Sequence, residues 1–459
     1  MSDINKIKHL YARAGFGLGF ADLKQVQNLT IGQAIDRVFQ ASAAVKPLTP
    51  IASYLDSNNV AKGDKMAKQQ FLQEERQQQV QLNVGWIEKM STDDSQLREK
   101  MTLFWHNHFA CRTRSPWYSQ QLNNIHRANA LGDFKVMLTQ VSQSPAMLQF
   151  LNNQLNKKDH PNENFARELM ELFTVGRGNY TEQDVKESAR AFTGWGYNNL
   201  GNFVARDGIH DTGQKTFLGK TGNFTGDDII TMLLERKETA QFICTKLYKY
   251  LVNEKPNAAN INAMADVFYT SNYNIQKVLS FVFKSDWFYN DSNTGNLIKA
   301  PVDLIVGLNR QFYVKYNNPS VLMQFERTLG QVLFNPPNVA GWPGGQNWID
   351  SSLLMYRLKT PSILLNNGII DFSGKPDPED EVFLAGNAKR STTASAQAQT
   401  VAGWDKFLAD IPAGTSKTQI AQTLLSPKLN TYVMAVVNRA NDVKGMVSEL
   451  VSTPEYQLY

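Results

Sequence analysis

HPNENFARELMELFTVG, residues 160–176, and YTEQDVKESARAFTGW, residues 180–195, decide the fold class of this chain. In the first stretch Phe165, Leu169, Leu172 and Phe173 recur three and four residues apart, which on an α-helix makes one apolar face. Pro161 pre-sets the backbone ahead of the first turn. Glu163, Asn164, Arg167, Glu168 and Glu171 crowd into an opposite arc of about 140°. Thr181 followed by Asp184 reads as a capping box that opens a second helix, with Asp184, Glu187 and Ser188 on adjoining parts of it. Only Gly176 to Tyr180 separates the two helices, so they are expected to pack against each other.

Working outward, the same periodicity predicts helices over Ala67 to Met90, Leu97 to Ala110 and Thr239 to Val252. Thr225 or Gly226 precedes Asp227 and Asp228, whose charges suit the positive end of a further helix. Alternating β-branched runs are scarce. The expected fold class is mainly α: a multi-helix globular array with long irregular loops and little or no sheet. At 459 residues the chain is long enough for two packed halves. Breaks in the pattern divide it into a main helical domain, 1–373, with a sub-boundary in the Gly-rich stretch 194–226, a mobile insert or linker at 374–403, and C-terminal helices at 404–459 that pack back on the main domain. No repeat of fixed period marks a solenoid.

Composition excludes several function classes. No stretch approaches the ~20 apolar residues of a membrane span, which predicts a soluble chain. The net charge of +5 is spread along the whole length with no dense basic run, which argues against nucleic-acid binding. Cys111 and Cys244 stand at no zinc-ribbon or redox spacing. The opening, MSDINKIKHLYARAGFG, carries no secretory or transit pattern, so the expected compartment is cytoplasmic. Gly-x-Ser-x-Gly, His-Glu-x-x-His and a dinucleotide-binding Gly-x-Gly-x-x-Gly are missing. A nucleotide is not expected as cofactor either, because Gly213 and Gly219 enclose five residues where a phosphate-binding loop needs four.

Potential chemistry concentrates between Glu99 and Asp228. In LREKMTLFWHNHFACR, residues 97–112, His106 and His108 lie almost opposite each other on a helix turning ~100° per residue. His106 shares a side with Glu99 and Thr102, whereas His108 joins Leu97, Met101 and Phe104 as a core histidine. DGIHDTGQKTFLGKTGNFTGDD, residues 207–228, adds His210 beside Asp211, either a general base or metal ligand or an Asx-type turn. Candidate catalytic residues are His106, Glu163, Arg167, Glu168, Glu171, His210 and Asp211. Candidate ligands for a divalent metal are Glu99, His106, Glu168, Glu171, Asp184, Glu187 and His210. The first reading is therefore an enzyme, metal-dependent or hydrolytic through acid/base carboxylates. The competing reading takes Arg167, four residues from both Glu163 and Glu171, as the centre of a solvent face laced with ion pairs. On that reading the protein is a non-catalytic binding or assembly module. In GQVLFNPPNVAGWPGGQNWI, residues 330–349, Trp342 and Trp348 sit in a stiff loop that seals the core or stacks on a ligand.

Together WHNHF at 105–109, PNENFARELMELFTVG at 161–176, NYTEQDVKESARAFTGW at 179–195, HDTGQKTFLG at 210–219 and NPPNVAGWPGG at 335–345 resemble the motif string of the bacterial domain-of-unknown-function 1800 family. HLYARAGFG at 9–17 and KAPVDLIVGL at 299–308 resemble further blocks of it. The resemblance implies no assigned activity or catalytic residues. It implies a sulfatase-like partner protein, often encoded beside family members, and, since many relatives are exported, a compartment other than the cytoplasm.

Overall fold

Thr30 with Gln33, Thr181 with Asp184, Thr225 with Asp228 and Ser416 with Gln419 each close a reciprocal cap at the start of a helix. Such caps satisfy amides that a first helical turn leaves without partners. The computed structural model describes residues 3–54, 64–371 and 395–459. Helices Lys65–Thr92, Gln96–His108 and Lys237–Leu251 occupy the three periodic stretches. The fold is mainly α. Its strands among the described residues form four two-stranded antiparallel pairs. No described helix is long and apolar enough to cross a membrane.

Two cores organise the helices. The first gathers Ile7, Leu10, Leu97, Trp105, Phe134, Phe165, Phe192 and Leu247. Trp195 and Phe217, from two hairpins within the Gly-rich 194–226 stretch, belong to it as well. The second gathers Trp86, Ile305, Phe325, Leu364, Phe407, Val436, Val447 and Tyr456, so the C-terminal helices share a core with the Lys65–Thr92 and Pro301–Phe312 helices. Leu458 bridges to Ile298, and Tyr459 exchanges backbone hydrogen bonds with Leu297. The tail thereby lies directly beside the entry to the Pro301–Phe312 helix. Of the segment expected as an insert, residues 374–394 lie outside the described residues. Its remainder supplies Ser395–Gln397 and Thr400–Val401, which pair with Ile369–Asp371 and Lys315–Tyr316.

Helix Gln96–His108 runs between the cores. Leu97, Met101, Phe104 and Trp105 face the first, and Leu103 faces the second. Every residue of it except Asn107 is buried, including Arg98, Glu99, Lys100, His106 and His108. A helix enclosed on all sides must pair its polar groups with protein, because each unpaired one costs free energy. The partners of this helix therefore define most of what the fold brings together.

Candidate functional site

Glu99 and His106 do look the same way, as two turns of helix require. Trp86 links them: its Nε1 donates to Glu99 Oε2 at 2.9 Å, and its ring meets the His106 ring edge-on at 5.1 Å. Both Glu99 oxygens are also taken by Arg127, with Nε donating at 2.7 Å and Nη2 at 3.0 Å. Such a bidentate pair, fully enclosed, is a structural tie. His106 Nε2 accepts the Phe334 amide at 3.1 Å, which places the ring proton on Nδ1. Burial first, and Arg127 second, push its pKa down to about 3, so the imidazole is neutral.

Asn107, which nothing in the sequence marked out, secures the other end of the same loop. Its Oδ1 accepts the Trp342 amide at 2.7 Å and its Nδ2 donates to the Trp342 carbonyl at 3.3 Å. Gly341, at φ +82°, has no room for a side chain, since a Cβ would come within 2.2 Å of Asn107 Oδ1. Trp342 and Trp348 are both buried. His108 lies 3.2 Å from the Phe173 carbonyl through Nε2 and 3.2 Å from Lys246 Nζ through Nδ1. The three consecutive polar residues His106, Asn107 and His108 thus meet three separate chain segments, the Phe334–Trp342 loop, Phe173 and the Lys246 helix.

The carboxylate helix departs from the regular form its periodicity predicts. Asn164–Glu168 is α-helical, but Leu169–Phe173 forms a π-turn, closed by Thr174 Oγ1 donating to the Leu169 carbonyl at 2.7 Å. The wider turn re-aims Glu171. Arg167 pairs with Glu163 at 3.1 Å and with Glu182 at 2.7 Å, whereas Glu171 pairs with Arg177 and accepts Tyr180 Oη at 3.1 Å. The Arg167–Glu171 spacing read from the sequence is replaced by these contacts. Glu168, half-buried, is reached by no hydrogen-bond donor among the described residues, and burial together with Glu171 pushes its pKa up.

Asp184 accepts the Thr181 amide and hydroxyl and, through Oδ1, the Leu218 amide at 2.8 Å. Glu187 accepts the Thr216 amide at 3.1 Å and Arg190 Nη1 at 2.8 Å. Arg190 in turn holds Asp211 at 2.7 Å and thereby depresses its pKa, so Glu187 and Asp211 do meet, across one guanidinium. Asp211 Oδ1 also accepts the Gly213 amide at 2.8 Å, the Asx turn named above as an alternative. His210 Nδ1 donates to the Thr193 carbonyl at 2.8 Å. Glu99 and His106 are thus engaged by Trp86, Arg127 and Phe334, Glu171 by Arg177 and Tyr180, Asp184 by Thr181 and Leu218, and Glu187 by Thr216 and by Arg190, which it shares with Asp211. Among the described residues no three His, Cys, Asp or Glu side chains are placed to hold a metal ion.

A different part of the molecule collects charge around a cavity. Lys8 of the first helix, Lys100 of the buried helix, Lys299, Asp303, Gln311 and Tyr459 line it together with the Gly15–Leu18 turn. Lys100 Nζ donates to Asp303 Oδ1 at 2.6 Å and lies 4.9 to 5.3 Å from the Phe16, Tyr250 and Tyr459 ring centres. Tyr459 Oη donates to Asp303 Oδ2 at 3.1 Å. Asp303 is the one acidic side chain in the lining. Behind it stand Arg13, stacked 4.9 Å over the Tyr459 ring, and Arg357, which donates to the Lys299 carbonyl at 2.5 Å. Both guanidinium groups are fully buried; Arg13 Nη2 donates to the Asn293 carbonyl and Asn296 Oδ1, while the Nε and Nη1 of each arginine find no partner among the described residues. Guanidinium keeps its proton under such conditions. Burial instead pushes the Lys299 pKa down to about 7 and that of Lys8 to about 8. A larger concavity of about 340 Å³, lined by Tyr11, Asp22, Arg37, Asp94 and Gln96, shares Gly15 and Leu18 with the first.

Sequence reasoning missed this cavity because its charged residues come from three distant places, Lys8, Lys100 and the Lys299–Asp303 pair within KAPVDLIVGL. The signals available were that pair and the charged run Arg98-Glu99-Lys100 in the Gln96–His108 helix. Among curated proteins and among solved structures nothing matches this chain. The family model described as "Protein of unknown function (DUF1800)" matches residues 9–458, nearly the whole length, and the chain belongs to that family.

Proposed function

We propose that this protein binds a small anionic molecule through Lys8, Lys100 and Lys299, with Asp303 and Tyr459 orienting the central lysine. The supporting observation is a surplus of cations: buried Lys100 and half-buried Lys8 and Lys299 line the cavity and two buried arginines stand behind it, against one acidic side chain in the lining. Lys100 is paired with Asp303, while Lys299 Nζ donates to the Tyr456 carbonyl at 2.7 Å and Lys8 Nζ to the Gln422 carbonyl, acceptors that carry no full negative charge. Positive charge without a counter-charge costs free energy when water is removed, and a ligand of opposite charge offsets that cost. The test is the thermal midpoint of the purified protein across sodium salts of simple anions at constant ionic strength, with magnesium and calcium chloride as cation controls. Anions are expected to raise the midpoint and cations to leave it unmoved. No anion-dependent rise, together with no heat of binding in calorimetry, overturns the reading.

A second reading rests on Glu168, a half-buried carboxyl without a donor beside the π-turn, where irregular helical geometry is often found at functional sites. It retains the expectation of an acid/base enzyme with Glu168 and Glu171 as the working pair. Loss of any identified hydrolytic turnover in Glu168→Gln, with the fold unchanged, supports it; full turnover in that variant removes it.

A further inference from the structure

Resting on the anion-binding reading, we infer that the cavity takes a tetrahedral dianion, the phosphate or sulfate group of a small molecule. Charge argues for two negative charges. With all three lysines protonated, Asp303 cancels one of them and leaves a surplus of two within the lining. A carboxylate or a halide would leave half of that surplus uncovered in the interior.

Size agrees. The space open to the centre of a water-sized sphere is about 40 Å³. One water needs roughly 10–15 Å³ by the same measure, so the cavity holds on the order of three water-sized groups. That matches the cluster of oxygens on one oxyanion and excludes the body of a nucleotide or sugar, which would have to lie outside.

The donors agree as well. A tetrahedral group presents oxygens in several directions and is satisfied by donors from separate elements, whereas a planar carboxylate is satisfied by a fork in one plane. The donors here come from the first helix, the buried helix, the approach to Pro301 and the helix that follows it. Gln311 is set up to donate too. Its Oε1 already accepts Tyr456 Oη at 2.7 Å, which leaves the amide nitrogen for another partner.

The experiment is calorimetric titration of the full chain at pH 6.5 and fixed ionic strength with sodium sulfate, sodium phosphate, sodium acetate and sodium chloride. Sulfate or phosphate is expected to bind at least tenfold more tightly than acetate or chloride. Preference for sulfate assigns a sulfate ester and preference for phosphate a phosphate ester, and both support the inference. Equal affinity for acetate and sulfate overturns the dianion while leaving the anion-binding reading in place; no heat from any of the four overturns both. Lys299→Met should weaken the oxyanion at least tenfold, with Lys299→Arg restoring most of the loss. If Lys299→Met fails to fold, Lys8→Gln, midway along the first helix, provides the same readout. Unchanged sulfate affinity in the folded variants overturns the placement.

Discussion

Two charged regions of this molecule follow opposite rules. Around the paired helices Asn164–Glu168 and Glu182–Ala191, five carboxylates each meet one of three arginines: Glu163 and Glu182 meet Arg167, Glu171 meets Arg177, and Glu187 and Asp211 meet Arg190. These pairs are exposed or half-buried, and solvent screens them. Around Lys100 the charges are buried or half-buried and do not balance, with lysines and arginines outnumbering the single lining carboxylate. Abundance of charge alone does not mark a functional site. An exposed face can leave its charge to solvent, and an interior cannot.

The strongest way to break that contrast is to unbalance an interior pair that is complete. Glu99→Gln leaves Arg127 buried without its counter-charge and should cost roughly 3–5 kcal/mol in urea or guanidinium unfolding. A loss below about 1 kcal/mol would mean that this interior is wetter than its geometry indicates.

Lys299→Met should act in the opposite direction. Removing a surplus cation is expected to stabilise the ligand-free protein by about 1 kcal/mol and to abolish the rise in midpoint with sulfate. The sign varies with pH. Lys299 has its folded pKa lowered to about 7 from 10.5, so between those values the unfolded chain binds the extra proton and wild-type stability rises with pH. The advantage of Lys299→Met is therefore largest at or below pH 7 and shrinks toward pH 10. An advantage independent of pH would show that the Lys299 charge is not its cause.

Sulfate does not change charge over this range, so its affinity reads the lysines alone. The groups facing the cavity are Lys8, Lys100, Lys299, Asp303 and Tyr459, with Arg13 and Arg357 behind. As pH rises through about 7 and about 8, Lys299 and Lys8 lose their protons and sulfate binding should weaken. Binding that is flat from pH 6 to 9 would assign the charge to Lys100 and the arginines. The smallest effect belongs to the exposed face: Arg167→Gln should change unfolding free energy by less than about 1 kcal/mol, and less still at high salt.

Legibility followed the range of the interaction. The cap at Thr181 is legible in the sequence because a capping box is complete within four residues, whereas the start that the sequence leaves open between Thr225 and Gly226 falls at Thr225. The shared direction of Glu99 and His106 was likewise legible from helix geometry, and His108 is the core histidine that its apolar neighbours predict. The roles of Glu99 and His106 were not. Trp86, Arg127 and Phe334, which take up their polar atoms, lie on other elements. The π-turn escaped detection because widening a helix by one residue leaves the apolar pattern of Phe165, Leu169 and Phe173 inside the same core.

By itself the sequence determined a mainly helical chain, the ends of its best-capped helices, and the family to which it belongs. Those features arise from contacts three or four residues apart, or from motifs long enough to be specific. Only the tertiary structure decided which charges are compensated. Burial removes the water that would otherwise screen Lys100, Arg13 and Arg357, and no local pattern records that Lys8, Lys100 and Lys299 line one small cavity.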